Sequence, residues 1–492
     1  MLNKMNINKT KLYLFSCFIA IITYGFALTN YTLTVDSESP IYPWFSLEHG
    51  RWGTNLIRYH IFNGHLPYFT MLLGLLALSL TAVELTKIFK FTHIKAYVFC
   101  ALFICVPQMA YQLVFTMQAD VVPIGFLAAV TGTRLYIENY SSPFIIKKYT
   151  KLSIAALLIM FAVACYQALA LVPVVIFLIY FFQETFSDSF DTKSKIKELL
   201  FFGLLMISSA ILYYISVKII CPPGNGGYLS SYTSGNANRL KTIASVLHRN
   251  LTGSFYYGNR LFPIAVLLLL AAIYKTVKSK KHTLIRIIAL LCILILPYGF
   301  SFLITSGYHP PRIYLTTGIV FAFILVHFLP EAKFQKQYIQ FCALICIVHI
   351  YFITSLFHSA NSIYNHDKET AKKIDQLINK KYPEFNPAKD YVYFYGCLPW
   401  EHHNKYRLEN SEIFGGSLFN WDNGNNWRII NFFKVTDVAD FRFMDYKPSF
   451  DKAKDSIESM PTWPNSESVK KVGDVILVKL GTEKGVLLPF EQ

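Results

Sequence analysis

Long apolar runs separated by short polar or basic segments fill the first three quarters of the chain. A bilayer span takes about 20 mostly apolar residues. Runs of that kind lie at 11–30, 67–86, 96–116, 121–138, 199–219, 261–274, 287–305, 313–330 and 338–357. The stretch 152–183 is harder to place. Lysines flank both of its ends (Lys147, Lys148 and Lys151; Lys193, Lys195 and Lys197), so it must cross an even number of times. It is too long for one span and short for two, given a usual minimum of about 17 residues. The pattern predicts a short helical pair, spanning or re-entrant, that turns at Tyr166-Gln167. Non-helical backbone at that depth is tolerated only against protein or a water-filled cavity, which makes the turn a pointer to a cavity. With the pair counted as two there are about eleven crossings. An odd number puts the tail opposite the N-terminus.

The pattern changes after residue 357. Ala371 to Lys381 reads as helix, Tyr391 to Tyr395 as strand, Asn425 to Phe433 and Phe450 to Met460 as helices, and Val475 to Leu480 as a buried strand. The expected fold is a polytopic α-helical membrane protein with a C-terminal α/β domain outside the cytoplasm. Residues 1–357 form the membrane domain, with external loops 31–66, 117–120, 220–260 and 305–312, and residues 358–492 form the α/β domain. The loop 220–260 is rich in Gly, Ser and Asn and carries Pro222-Pro223-Gly224.

Composition supports this division. The 492 residues are 53% apolar and 15% charged, whereas a soluble domain carries about 25% charge. The net charge of +16 is unevenly spread. Residues 358–492 hold 18 Lys and Arg against 19 Asp and Glu, which leaves 28 basic and 11 acidic residues before them. Basic residues concentrated in short loops are the positive-inside signature of a membrane protein, not a nucleic-acid face. Seven of the nine cysteines sit in apolar runs; Cys221 and Cys397 fall in external segments, where they could pair.

The candidate chemistry clusters outside the membrane. Asp36-Ser37-Glu38 follows the first span. In an extended segment, residues i and i+2 face the same way, so both acids would share one cleft. One would serve as general base and the other would orient it or tune its pKa; otherwise they are ordinary solvated loop acids. Arg51, Trp52, Arg58 and His60 add cations and aromatics to the same loop. They suit a lipid phosphate and a sugar face, or equally an interface belt. Asp120, in a very short external turn, is a further candidate. His309 and Arg312 flank Pro310-Pro311, and Arg260 ends the Gly-rich loop; each is a phosphate contact or a helix-end anchor. No phosphate-binding loop, His-Glu-x-x-His or nucleophile elbow is present, and His402-His403 lacks further ligands at metal-site spacing. Few charges lie inside the spans, which favours surface chemistry on a lipid-linked substrate over transport by a flippase.

Several of these pieces match a known family in order. Asp36-Ser37-Glu38, Gly50-Arg51-Trp52-Gly53, the Tyr166-Gln167 turn, Phe414-Gly415-Gly416-Ser417, Met460-Pro461-Thr462-Trp463-Pro464 and Val475 to Leu480 together resemble the serotype-converting O-antigen glucosyltransferases of the type II Gtr family. The resemblance implies a GT-C-like membrane glycosyltransferase. It would take glucose from undecaprenyl-phosphate glucose and attach it to a lipid-linked O-antigen repeat in the periplasm, using neither a nucleotide sugar nor a required divalent metal. It also implies a bacterial inner-membrane location with the N-terminus in the cytoplasm and the tail domain in the periplasm. A donor flippase and a donor-making glycosyltransferase would be its companions. Asp36 and Glu38 would be the catalytic acids. Tyr166 and Gln167 would line the substrate site, and Lys479, in the terminal strand, would touch donor phosphate or acceptor. A lipid-linked sugar flippase, or a GT-C enzyme for another sugar, remains the alternative.

Overall fold

The computed structural model describes residues 8–38, 43–62, 66–222, 235, 238–279, 282–306, 308–330, 334–399, 406–445 and 447–483. His402-His403 and Pro223-Gly224 lie outside them. Ten helices among the described residues are long and apolar enough to cross a membrane: Lys9–Thr29, Pro67–Ile88, His93–Leu113, Val121–Asn139, Ile145–Cys165, Gln167–Glu184, Thr192–Ile220, Asn259–Lys278, Thr283–Phe302 and Gln335–Lys381. The segment expected to span at 313–330 is instead a buried helix of 11 residues, Thr317–His327. At 1.5 Å per residue it covers only about 16 Å, roughly half the hydrocarbon core.

The expected short pair is also corrected. Ile145–Cys165 has 21 residues and Gln167–Glu184 has 18, so both are long enough to span. The first helix begins before the lysines and carries Lys147, Lys148 and Lys151 within it. Long lysine side chains can bury their stems and keep their charge at the membrane surface, so basic residues did not mark the helix end. Tyr166 separates the two helices in an extended conformation (φ −158°, ψ 120°). Elsewhere proline sets the breaks. Pro107 starts a 3₁₀ turn after His93–Cys105, and Pro297 is the second residue of another, Leu296–Phe302, after Thr283–Ile295, because proline cannot donate the helical hydrogen bond.

The chain divides into two compact units: residues 1–29 with 42–355, and residues 30–41 with 356–492. In the first, charged residues at one set of helix ends tie the bundle together. Glu84 accepts from Lys87 and, at 2.7 Å, pairs with Arg134. Glu184 pairs with Lys90 at 2.7 Å and Lys195 at 3.2 Å, and Lys195 reaches Glu198 at 2.9 Å.

The second unit holds a four-stranded sheet ordered β2-β1-β4-β3, where β1 is Tyr391–Tyr395, β2 Arg442–Phe443, β3 Val469–Val472 and β4 Val475–Lys479. β1 pairs in parallel with β2 and β4, and β3 is antiparallel to β4. The central strands β1 and β4 are almost wholly buried, as parallel strands are when both faces are covered. Tyr393, Phe450, Ile457, Val475 and Leu477 pack in one core. Helix Gln335–Lys381 runs unbroken for 47 residues, where the sequence pattern suggested a span and a separate helix. The expected helix from Phe450 to Met460 is two short ones, Lys447–Ala453 and Ser456–Ser459. The expected boundary at 357 assigns loop 31–66 to the membrane part. Its first residues instead pack with the tail: Asn361 Nδ2 donates to Tyr31 O at 3.1 Å and Thr32 Oγ1 at 2.9 Å.

Candidate active site

Residues 34–38 form a turn, closed by Ser37 N donating to Thr34 O at 2.9 Å. Asp36 occupies the left-handed region (φ 72°), a conformation that Asp tolerates better than most side chains. The segment is therefore not extended, which corrects the reason for expecting its two acids on one side. They converge all the same, on a cation far away in sequence. Helix Asn426–Val435 starts at Asn425, whose side chain accepts from Trp427 N and Arg428 N, a standard N-cap. Arg428 in the first turn then meets three carboxylates. Nη1 donates to Glu38 Oε1, Nη2 to Asp36 Oδ1 at 2.9 Å, and Nε to Asp422 Oδ2 at 2.6 Å.

Burial divides the acids. The Glu38 side chain is 0% exposed, whereas Asp36 is 45% and Asp422 44% exposed. Burial pushes the Glu38 carboxyl up to about 7, against the pull of the Arg428 guanidinium; the nearby Asp36 charge adds to the rise. The carboxylates raise Arg428 in turn. Among the described residues, Glu38 Oε2 is buried with no hydrogen-bond partner. Such an oxygen is costly unless something fills its place.

Local packing holds this geometry. Gly416 sits beneath Trp421 and against Val35; an added Cβ would lie 2.8 Å from the Trp421 ring and 3.1 Å from Val35 Cγ2. Next to it, Ser417 Oγ and Leu418 N each donate to the buried Asp367 carboxylate at 2.8 Å. The Gly415-Gly416-Ser417 run thus anchors the loop that carries Trp421 and Asp422 onto the long helix.

The membrane unit brings together a second set. Arg58, on the π-helix Leu56–Ile61, is 1% exposed and pairs with Asp120, 0% exposed. It also donates to Met117 O at 3.2 Å. Asp120 caps helix Val121–Asn139 by accepting from Val121 N at 2.8 Å; burial raises its carboxyl while Arg58 opposes the rise. Gly74 allows the close approach, since a Cβ there would lie 2.0 Å from Ala119 O. Residues 49–52 meet the Tyr166 turn. Arg51 Nε donates to Gln167 Oε1 at 3.0 Å and its guanidinium lies 5.0 Å from the Tyr166 ring. Gln167 Nε2 donates to His49 O at 2.7 Å. The Trp52 indole N–H is spent on Ser216 Oγ at 2.8 Å, so it fastens helices, a duty the sequence did not suggest. His60 is exposed. Arg260 is exposed beside the Tyr257 ring, and Arg312 lies 5.1 Å from the Phe115 ring. His309 Nδ1 is 3.0 Å from Tyr314 OH, and burial lowers the pKa of this imidazole.

A protein-family model described as glucosyl transferase GtrII matches residues 25–327, more than half of the chain. The chain belongs to this family. It is thus a GtrII-type glucosyltransferase, with ten helices fit to cross a membrane among its described residues. No curated protein and no solved structure matches it significantly.

The matched region of this GtrII protein includes Asp36 and Glu38 but ends before Arg428. Sequence reasoning missed Arg428, Asp422 and Asp367. The one available signal was an arginine in the first turn of a helix, where a cation opposes the helix dipole. Lys479 needs correction as a substrate contact. Its Nζ is buried and donates to Ile457 O (2.9 Å), Glu458 O (3.3 Å) and Met460 O (2.8 Å). All three donors of the ammonium are used on carbonyls at the end of a short helix. Cys221 and Cys397 are free thiols.

Proposed function

We propose that this GtrII protein transfers glucose from undecaprenyl-phosphate glucose to a lipid-linked O-antigen repeat on the periplasmic side of the bacterial inner membrane, with Glu38 as general base. The observation that carries the reading is the buried Glu38 Oε2, unpartnered among the described residues and beside Asp36, with Oε1 held by Arg428. An acceptor sugar hydroxyl attacks the anomeric carbon of the donor. Its proton passes to Glu38 Oε2, the bond between the anomeric carbon and the phosphate oxygen breaks, and undecaprenyl phosphate leaves with the electron pair. A carboxyl titrating near neutrality suits this task, because it is substantially ionised at working pH yet basic enough to accept the proton. The proposed companions are a donor flippase and a donor-synthesising glycosyltransferase.

The test is mass analysis of lipopolysaccharide from cells expressing the full chain. The expected result is a hexose increment with the parent chain and its loss in Glu38→Gln, at unchanged protein level in the membrane. Asp36→Asn is expected to reduce the increment. A full increment in Glu38→Gln overturns the assignment of the base, and substrate movement with no new glycosidic bond overturns the transfer itself.

A further inference from the structure

Arg428 is fixed at both ends. Its backbone N–H is held by the Asn425 cap, and its guanidinium spends separate nitrogens on three separate carboxylates. A guanidinium is planar, so its N–H directions are set once its plane is set. Asp422 at 2.6 Å and Asp36 at 2.9 Å fix that plane; the remaining nitrogen then determines where Glu38 Oε1 sits. A lysine in this place would be a point charge with rotating donors and could not hold three partners in one plane.

We propose that Arg428 is the positioning residue of the base: by binding Oε1 of Glu38 it presents Oε2 to the acceptor hydroxyl and sets the pH range over which the base works. This rests on the reading of Glu38 as general base. The charged groups that bear on Glu38 are Asp36 on its own turn and Arg428 on helix Asn426–Val435, with Asp422 acting through Arg428. Their signs differ. Arg428 favours the ionised form of Glu38, and the acids disfavour it. Removing Arg428 must therefore raise the pH at which the base becomes active, and removing Asp422 must lower it.

The experiment uses membranes containing the full chain, supplied with undecaprenyl phosphate carrying radiolabelled glucose, and reads glucose added to lipopolysaccharide across pH. The parent chain is expected to lose activity as pH falls through about 7. In Arg428→Gln this acid limb is expected to move up by about one pH unit, which lowers the rate about tenfold further on the acid side than on the alkaline plateau. Arg428→Lys should shift the limb less, and Asp422→Asn should shift it the opposite way. An arginine that only staples residues 30–41 to the tail would lower activity by one factor at every pH. That outcome overturns the inference and leaves Glu38 as base. Should Arg428→Gln fail to reach the membrane, an unmoved limb in both Arg428→Lys and Asp422→Asn overturns it equally. Glu38→Gln with the parent pH profile overturns the proposed function instead, so the two failures are distinct.

Discussion

A carboxyl buried as completely as Glu38 stores a pH dependence in the fold as well as in the reaction. Its ordinary value of 4.5 rises to about 7 in the folded chain. Below 4.5 both the folded and unfolded forms are protonated. Between 4.5 and about 7 the unfolded form has released its proton and the folded form has not. The stability associated with the protonated acid is therefore present at low pH and lost as pH rises to about 7, to an extent of at most about 3 kcal/mol. In Glu38→Gln this dependence should vanish. Thermal unfolding in detergent at pH values on either side of that window should show the variant gaining on the parent chain by a few degrees as pH rises. Equal trends in the two proteins would show that Glu38 titrates as an ordinary exposed acid. Sequence reading reached Asp36 and Glu38 through their spacing and their place after a span. Their common partner could not be read that way. Arg428 lies 390 residues from Glu38, and nothing in the local pattern of either segment fixes that pairing.

The helices were legible to the extent that hydropathy governs them, and were misread where a single backbone contact does. The apolar runs marked most spans because lipid demands some 20 residues of apolar helix. They did not reveal that helix Ile145–Cys165 begins ahead of its lysines, nor that Thr317–His327 is short. Gly74 shows the other limit. In sequence it is one small residue within an apolar helix; in the fold it is where helix Pro67–Ile88 meets the backbone that leads into Asp120. A Cβ at this position would stand 2.0 Å from Ala119 O and 2.9 Å from its carbonyl carbon, and backbone cannot move aside as a side-chain tip can. Gly74→Ala should therefore destabilise the chain by about 1–3 kcal/mol, read as a lower unfolding midpoint and less protein in the membrane. Ala at Gly203, where no atom lies within 4 Å of the added Cβ, is the matched control and should be neutral or slightly stabilising.

The parity of the crossings is tied to contacts within the second unit. Residues just after the first span bond to the tail, through Asn361 with Tyr31 and Thr32 and through Arg428 with Asp36 and Glu38. Loop and tail must then lie on the same face of the membrane. The first span lies between the N-terminus and that loop, so the whole path to the tail must cross an odd number of times. Among the described residues, ten long helices make an even number. An odd path would take its remaining crossing from the segment around Thr317–His327. That helix is too short to span as a regular helix, but it is buried along its length, and irregular backbone at membrane depth is tolerated when protein surrounds it. Single cysteines at exposed positions separate the two counts. Ser141 lies just before helix Ile145–Cys165 and its lysines, Ser254 beyond helix Thr192–Ile220, and Ser459 in the tail. With an impermeant thiol reagent on spheroplasts and the parent chain as background, Ser254→Cys and Ser459→Cys should label together, and Ser141→Cys only after permeabilisation. Labelling of Ser459→Cys together with Ser141→Cys would require ten crossings, and would put the tail on the face opposite the acids it binds.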